Sequence, residues 1–191
     1  MGTQTSSLII YIIVMFTGRL LSQRQRRRRQ SLSTQWQSMV NDPTTLASGL
    51  LVAIAIGMAL IEATLRQNIT LQLHTALIGV IILIVGWGIA YFANREIGEN
   101  WSPTLEKTEE QKLVTSGIYV IVRHPLYLSG LLILVGTNVY FGSKWAWLGT
   151  TLALIVILLR IPIEEKHLKE RFGEEYIAYK RRTKAILPWI F

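Results

Sequence analysis

Five stretches of the chain are apolar enough, or nearly so, to cross a lipid bilayer. A transmembrane helix needs about 20 predominantly apolar residues, with roughly 17 as a lower limit. The first stretch runs from about residue 6 to 21 and carries Arg19 near its end. The second, 44–65, has Glu62 as its single charge, and the third, 71–93, contains no Asp, Glu, Lys or Arg. The fourth and fifth, 125–141 and 145–163, are separated only by Gly142, Ser143 and Lys144. Such a short Gly- and Ser-containing connection predicts a tight turn, and hence an antiparallel helical hairpin. Both of its arms are short, which fits a thin crossing or a hairpin that stops within the bilayer. Beyond them Leu168, Phe172, Tyr176 and Tyr179 recur at helical spacing and predict an amphipathic helix along the interface, with Gly173 as a point of bending. Ala53 and Gly57, and the pair Gly86 and Gly88, are the small residues expected to let helices approach closely. The predicted class is therefore all-α: an integral membrane protein of five transmembrane helices, with a short hairpin of spans four and five and a C-terminal interfacial helix. It divides into residues 1–93, three spans with a basic cytosolic loop, and residues 94–191, where polar chemistry gathers.

Composition agrees. Half of the 191 residues are apolar and only 17% are charged, against about 25% in soluble domains; the mean hydropathy is +0.34. A disordered or coiled-coil chain is excluded. The absence of cysteine removes disulfides, thiolate zinc sites, a cysteine nucleophile and a palmitoyl anchor, and no metal site is expected. The formal charge of +8 suits either nucleic acid or an anionic membrane face, and the position of the charges decides. Five spans place eighteen of the twenty Lys and Arg residues on one side and only Arg66 and Lys144 on the other. By the positive-inside rule the basic side is cytosolic, so the charge is a topology signal, the partner is the bilayer, and no nucleic acid is expected. The first stretch has no basic residue before it and the cluster Arg24, Arg26–Arg29 after it. This is the reverse of a cleaved signal peptide, so the expectation is a retained span with its N-terminus outside and its C-terminus in the cytosol.

Polar residues away from the long spans concentrate in 94–127 and 160–182, on the same cytosolic face. The first segment contains Lys112-Leu113-Val114-Thr115-Ser116-Gly117-Ile118-Tyr119 and Arg123-His124-Pro125-Leu126-Tyr127. Pro125 suits the first turn of a helix, which puts Arg123 and His124 at its entrance, beside unpaired backbone N–H groups that favour an anionic ligand. In the second segment Arg160 and Glu164 stand at i and i+4 and share one helix face. Ionisable groups so close to hydrocarbon usually point into a bundle or cavity, although a plain ion pair anchoring the helix end uses the same residues.

Together with Glu164-Glu165-Lys166, Phe172-Gly173-Glu174-Glu175-Tyr176 and Pro188, these runs resemble the isoprenylcysteine carboxyl methyltransferase family over residues 96–191. The resemblance implies an integral-membrane enzyme that uses S-adenosyl-L-methionine, with S-adenosyl-L-homocysteine as product, to methylate the C-terminal carboxylate of a prenylated cysteine. It further implies that Gln111, Lys112, Leu113 and Val114, with Tyr119, wrap the cofactor. His124, Pro125, Leu126 and Tyr127 would line the same pocket, Glu164 would hold the cofactor from the last helix, and Arg160 would receive the substrate carboxylate as the catalytic residue. Two positions depart from the family pattern. Thr104, the remaining cofactor contact, replaces a longer amide side chain, and Ser129 stands where glycine is common.

The chemistry is consistent with that assignment, because a carboxylate is ionised at neutral pH and attacks a sulfonium methyl without a catalytic base. What the enzyme must supply is alignment and exclusion of water; the guanidinium of Arg160, permanently charged and fork-shaped, can orient a carboxylate bidentately. The lipophilic acceptor arrives through the bilayer and the charged cofactor from the cytosol, which puts the site at the inner interface. The alternatives are N-methylation of a phospholipid amine or other small lipophilic acceptor on the same scaffold, and a membrane scaffold without catalysis.

Overall fold

The computed structural model describes residues 2–27, most of 50–62, 73–98 and 112–187. Four helices are named here: α1 (Gly2–Arg27), α2 (Leu73–Ile97), α3 (Pro125–Phe141) and α4 (Trp145–Arg182), with a 3-10 turn at Gly117–Val120 before α3. The described residues within 50–62 are helical as well. Among the described residues β pairing is confined to one parallel bridge, Val122 with Lys184, so the protein is all-helical. Among the described residues two helices, His74–Ile97 and Trp145–Arg182, are long and apolar enough to cross a membrane; Ile9–Ser22 and Pro125–Phe141 are shorter apolar helices.

Large aliphatic and aromatic side chains such as Ile12, Phe16, Ile81, Ile84 and Leu159 stand exposed on the outside of the bundle, as a surface facing hydrocarbon requires. Several polar side chains of the helices are turned inward and paired with one another. Tyr11 of α1 meets Thr137 of α3 at 3.2 Å, Asn94 of α2 donates to Ser22 of α1 at 2.7 Å, and Asn138 of α3 donates to Thr150 of α4 at 2.8 Å. In a bilayer such bonds replace the water that would otherwise compete for these groups.

Helix α2 packs against both α1 and α3, and glycines bring the backbones together. A Cβ at Gly79 would lie 2.7 Å from the backbone nitrogen of Tyr140, and one at Gly136 would lie 3.0 Å from the carbonyl oxygen of Gly79. Gly86 makes the close approach expected of it, against Ile133, but Gly57 and Gly88 meet nothing within 4 Å among the described residues. That part of the sequence expectation is corrected: small residues help only where a partner backbone arrives, and α3 arrives along the face carrying residues 79, 83 and 86.

The turn between α3 and α4 is closed by Gly142 in the left-handed conformation. Its Ser143 hydroxyl accepts from the backbone N–H of Ala146 at 3.1 Å and donates to Glu62, whose carboxylate also takes the backbone N–H of Trp145 at 3.2 Å. The first turn of α4 thus finds acceptors for donors that a helix start leaves unpaired. A difference lies farther on. The fifth apolar stretch does not end as a separate element at 163; α4 continues through Pro162 to Gly173, whose φ of 53° and ψ of −128° are not helical, and then to Arg182. Fifteen residues of straight helix would separate Glu165 from Lys180 by about 22 Å, yet their side chains form an ion pair at 2.5 Å. The chain therefore folds back at Gly173, and the amphipathic segment is a return arm packed on the end of the long helix.

Candidate active site

The return arm fixes the loop that leads into α3. Past Arg182 the chain runs beside Val122–His124, where the backbone N–H groups of Arg123 and His124 donate to the carbonyls of Lys184 and Ala185 at 2.8 and 2.9 Å. Earlier in the loop, Ser116 donates to Glu96 of α2 at 2.9 Å, and the Tyr119 carbonyl accepts from Tyr179 at 2.8 Å. Leu113, Val114, Tyr119 and Leu126 join Tyr176 and Tyr179 in one hydrophobic cluster. Four residues expected around a cofactor thus share a packed cluster at the base of the site.

Above that cluster three side chains converge on Glu164. Tyr127 donates to its carboxylate, Arg160 Nε lies 2.8 Å away, and His124 Nδ1 stands 3.5 Å from its other oxygen. The His124 ring stacks on Tyr127 with centroids 5.6 Å apart. His124 caps α3 and Pro125 takes its first turn, so ring and helix entrance sit where the sequence predicts. Burial by itself would lower the pKa of His124, but the carboxylates of Glu164 and Glu165, one near each ring nitrogen, outweigh it, and the imidazole is held above its ordinary value. Nε2 is 3.6 Å from Glu165 and is buried without a hydrogen-bond partner among the described residues.

A second set of contacts was not assigned from sequence. Arg123, at the helix entrance, turns its side chain toward Glu165. Its Nε donates to Glu165 at 2.9 Å, a second nitrogen lies 2.7 Å from the same carboxylate, and its remaining nitrogen reaches the carbonyls of Thr183 and Lys180. Lys180 closes on Glu165 from the other side. Arg123 and Glu165 both lie inside the motif runs, which is the only signal a sequence offers for them, because a pair separated by 42 positions has no helical register.

His124, Tyr127, Arg160 and Glu164 are therefore one constellation, Pro125 is buried beside it, and Lys112 is exposed at the start of the loop. Thr104 and Gln111 lie outside the described residues. Ser129, where glycine was the family pattern, is buried and donates back to the Leu126 carbonyl at 2.7 Å, so its hydroxyl is satisfied within α3. Among the described residues no group of His, Cys, Asp or Glu is placed to hold a metal ion.

A family profile described as phospholipid methyltransferase matches residues 74–175, the stretch from the start of α2 through the first motif segment and into the second. Among curated proteins the chain is 30% identical over 144 residues to a probable protein-S-isoprenylcysteine O-methyltransferase of Oryza sativa subsp. indica, covering 74% of this chain and 75% of that protein. It is 32% identical over 133 residues to the protein-S-isoprenylcysteine O-methyltransferase of Xenopus laevis, covering 68% of this chain and 46% of the relative. It is also 25% identical over 210 residues to methanethiol S-methyltransferase 1 of Bradyrhizobium diazoefficiens, covering 98% of this chain and 70% of that enzyme.

Proposed function

The chain belongs to the phospholipid methyltransferase family, in which its relatives include the isoprenylcysteine carboxyl methyltransferases, and from that premise we propose that it transfers a methyl group from S-adenosyl-L-methionine to the C-terminal carboxylate of an S-prenylated cysteine. That the protein is a methyltransferase follows from the family; the acceptor and donor are our reading. The observation that carries it is the convergence of Arg160, His124 and Tyr127 on Glu164 where α4 passes the entrance of α3.

The residues fit the donor. It is a zwitterion with an added sulfonium cation, and the site offers Glu164 as a largely buried carboxylate together with the unpartnered Nε2 of His124. A buried polar atom of this kind usually has a partner, and the amino-acid end of the donor can provide one. When bound, the donor supplies an electrophilic methyl on sulfur and leaves as S-adenosyl-L-homocysteine. Glu164 and His124 would hold it, with Leu113, Val114, Tyr119, Pro125, Leu126 and Tyr127 shaping the wall, and Thr104, Gln111 and Lys112 extending it. Arg160, fixed through Nε by Glu164, would bind the acceptor carboxylate and set its line of attack. No proton has to be removed from that nucleophile, so no residue is assigned as a base. Tyr127 and the hydrophobic cluster below would exclude water from the reacting atoms.

The same reading places five spans in the bilayer, the N-terminus outside and the site on the cytosolic face, with residues 1–93 as anchor and 94–191 as the cofactor-binding part. It is supported by the eighteen-to-two distribution of basic residues. A second reading, methylation of another small lipophilic acceptor, is favoured by the similarity to a methanethiol methyltransferase across nearly the whole chain. A protonated phospholipid amine is disfavoured by the cation at Arg160. The deciding experiment incubates the purified protein with radiolabelled S-adenosyl-L-methionine and, in parallel, farnesylcysteine acid, phosphatidylethanolamine and methanethiol. Base-labile methyl ester on the prenylcysteine is expected; label only on the amine or the thiol overturns the proposed acceptor.

A further inference from the structure

The fold-back at Gly173 creates a groove of about 930 Å³ between the two arms of α4, lined by Glu165 and not by Glu164. Its rim is strongly basic. Lys166 and Lys169 come from the outgoing arm, and Lys180, Arg181 and Lys184 from the return. Glu165, the one acid lining it among the described residues, is already taken by Arg123 and Lys180. Lys169, Arg181 and Lys184 are exposed and have no acidic partner among the described residues. The floor is apolar, made by Ile161, Pro162 and Ile177, and Ile161 and Pro162 belong to the part of α4 that emerges from the apolar span.

A cationic rim next to an apolar floor, at the level where a helix leaves hydrocarbon, has the polarity of an amphiphile. We propose that this groove binds the headgroup of an anionic phospholipid, its phosphate between Lys169, Arg181 and Lys184 and the upper part of a chain against Ile161 and Pro162. Basic residues near a membrane surface attract anionic lipid whatever their arrangement; here they are presented by two arms that the ligand would tie together. Closing the arms would steady the 183–187 return, whose carbonyls hold the Arg123 and His124 backbone. The lipid site is separate from the methyl acceptor and does not depend on which acceptor is used.

The test uses the full chain in bilayers of phosphatidylcholine with and without phosphatidylglycerol. Native mass spectrometry of the released protein should show phosphatidylglycerol retained over phosphatidylcholine by roughly thirty- to hundredfold, the order that two or three such charges provide. The preference should vanish in the K169A/R181A/K184A variant, whose three positions are on the surface, and should weaken in the wild type as ionic strength rises. The thermal midpoint should rise with phosphatidylglycerol in the wild type alone. Equal retention of both lipids, a preference unchanged in the variant or by salt, or the same midpoint shift from inorganic phosphate in phosphatidylcholine alone would overturn the proposal; the last would assign the groove to simple anions.

Discussion

Glu164 receives its neighbours from two places in the chain: Arg160 one helical turn before it, and His124 and Tyr127 from the start of α3. If Arg160 orients the acceptor while Glu164 and His124 hold the donor, their substitutions separate kinetically. Arg160→Ala should cut methyl transfer by roughly a hundredfold or more while leaving donor affinity measured by calorimetry largely intact. Glu164→Gln should instead weaken donor affinity by about tenfold. Near-normal turnover of Arg160→Ala on a prenylcysteine would remove the carboxylate assignment. His124 carries a pH signature. Its folded pKa is raised above 6.5, so the stability contributed by its protonated form is fully present below that value and is lost as pH rises through the folded one. Thermal midpoints of wild type and His124→Gln should therefore converge with increasing pH; a gap that stays constant or widens contradicts the assignment. The partners of that titration are Glu164 and Glu165, themselves facing Arg160, Tyr127, Arg123 and Lys180. At this scale the Arg160–Glu164 pair was legible because i and i+4 share a helix face. The Arg123–Glu165–Lys180 cluster was not, because nothing local reports which distant segment brings an opposite charge.

Helix positions were legible from apolar runs, and the hairpin turn from Gly142 and Ser143. Which glycines serve as contacts was not, since a glycine meets a neighbour only if the neighbour's path crosses it. Gly79→Ala or Gly136→Ala should destabilise the α2–α3 pair by about 1–3 kcal/mol, the usual cost of overpacking, because a new Cβ meets backbone that cannot rotate away. Gly88→Ala, meeting nothing within 4 Å among the described residues, should be neutral or stabilising through helix propensity. Unfolding in denaturant measures both, and equal losses at Gly79 and Gly88 would contradict the packing described. The end of α4 likewise exceeded its sequence signal. Pro162 lacks the N–H that would bond the Leu158 carbonyl, but it does not stop the helix, whereas Gly173 reverses the chain because its backbone dihedrals are open mainly to glycine.

For the molecule as a whole, the absence of cysteine makes topology directly testable. Single cysteines placed at Lys144 and at Glu174, both exposed, should react with a membrane-impermeant maleimide from opposite sides, the first from outside and the second only after permeabilisation. Labelling of both from one side would contradict a crossing by α4. By itself the sequence determined that the chain is helical, apolar enough for the bilayer, rich in basic residues between and after its apolar runs, and equipped with the motif runs of a methyltransferase family. These are properties of composition, period and local spacing, which a chain carries before it folds. Only the tertiary structure decided that the last amphipathic segment turns back at Gly173, that Arg123 serves Glu165, and that His124 and Tyr127 meet Glu164. Those contacts join segments from 15 to 60 positions apart, and at such separations position follows from how whole helices pack, not from any rule acting along the chain.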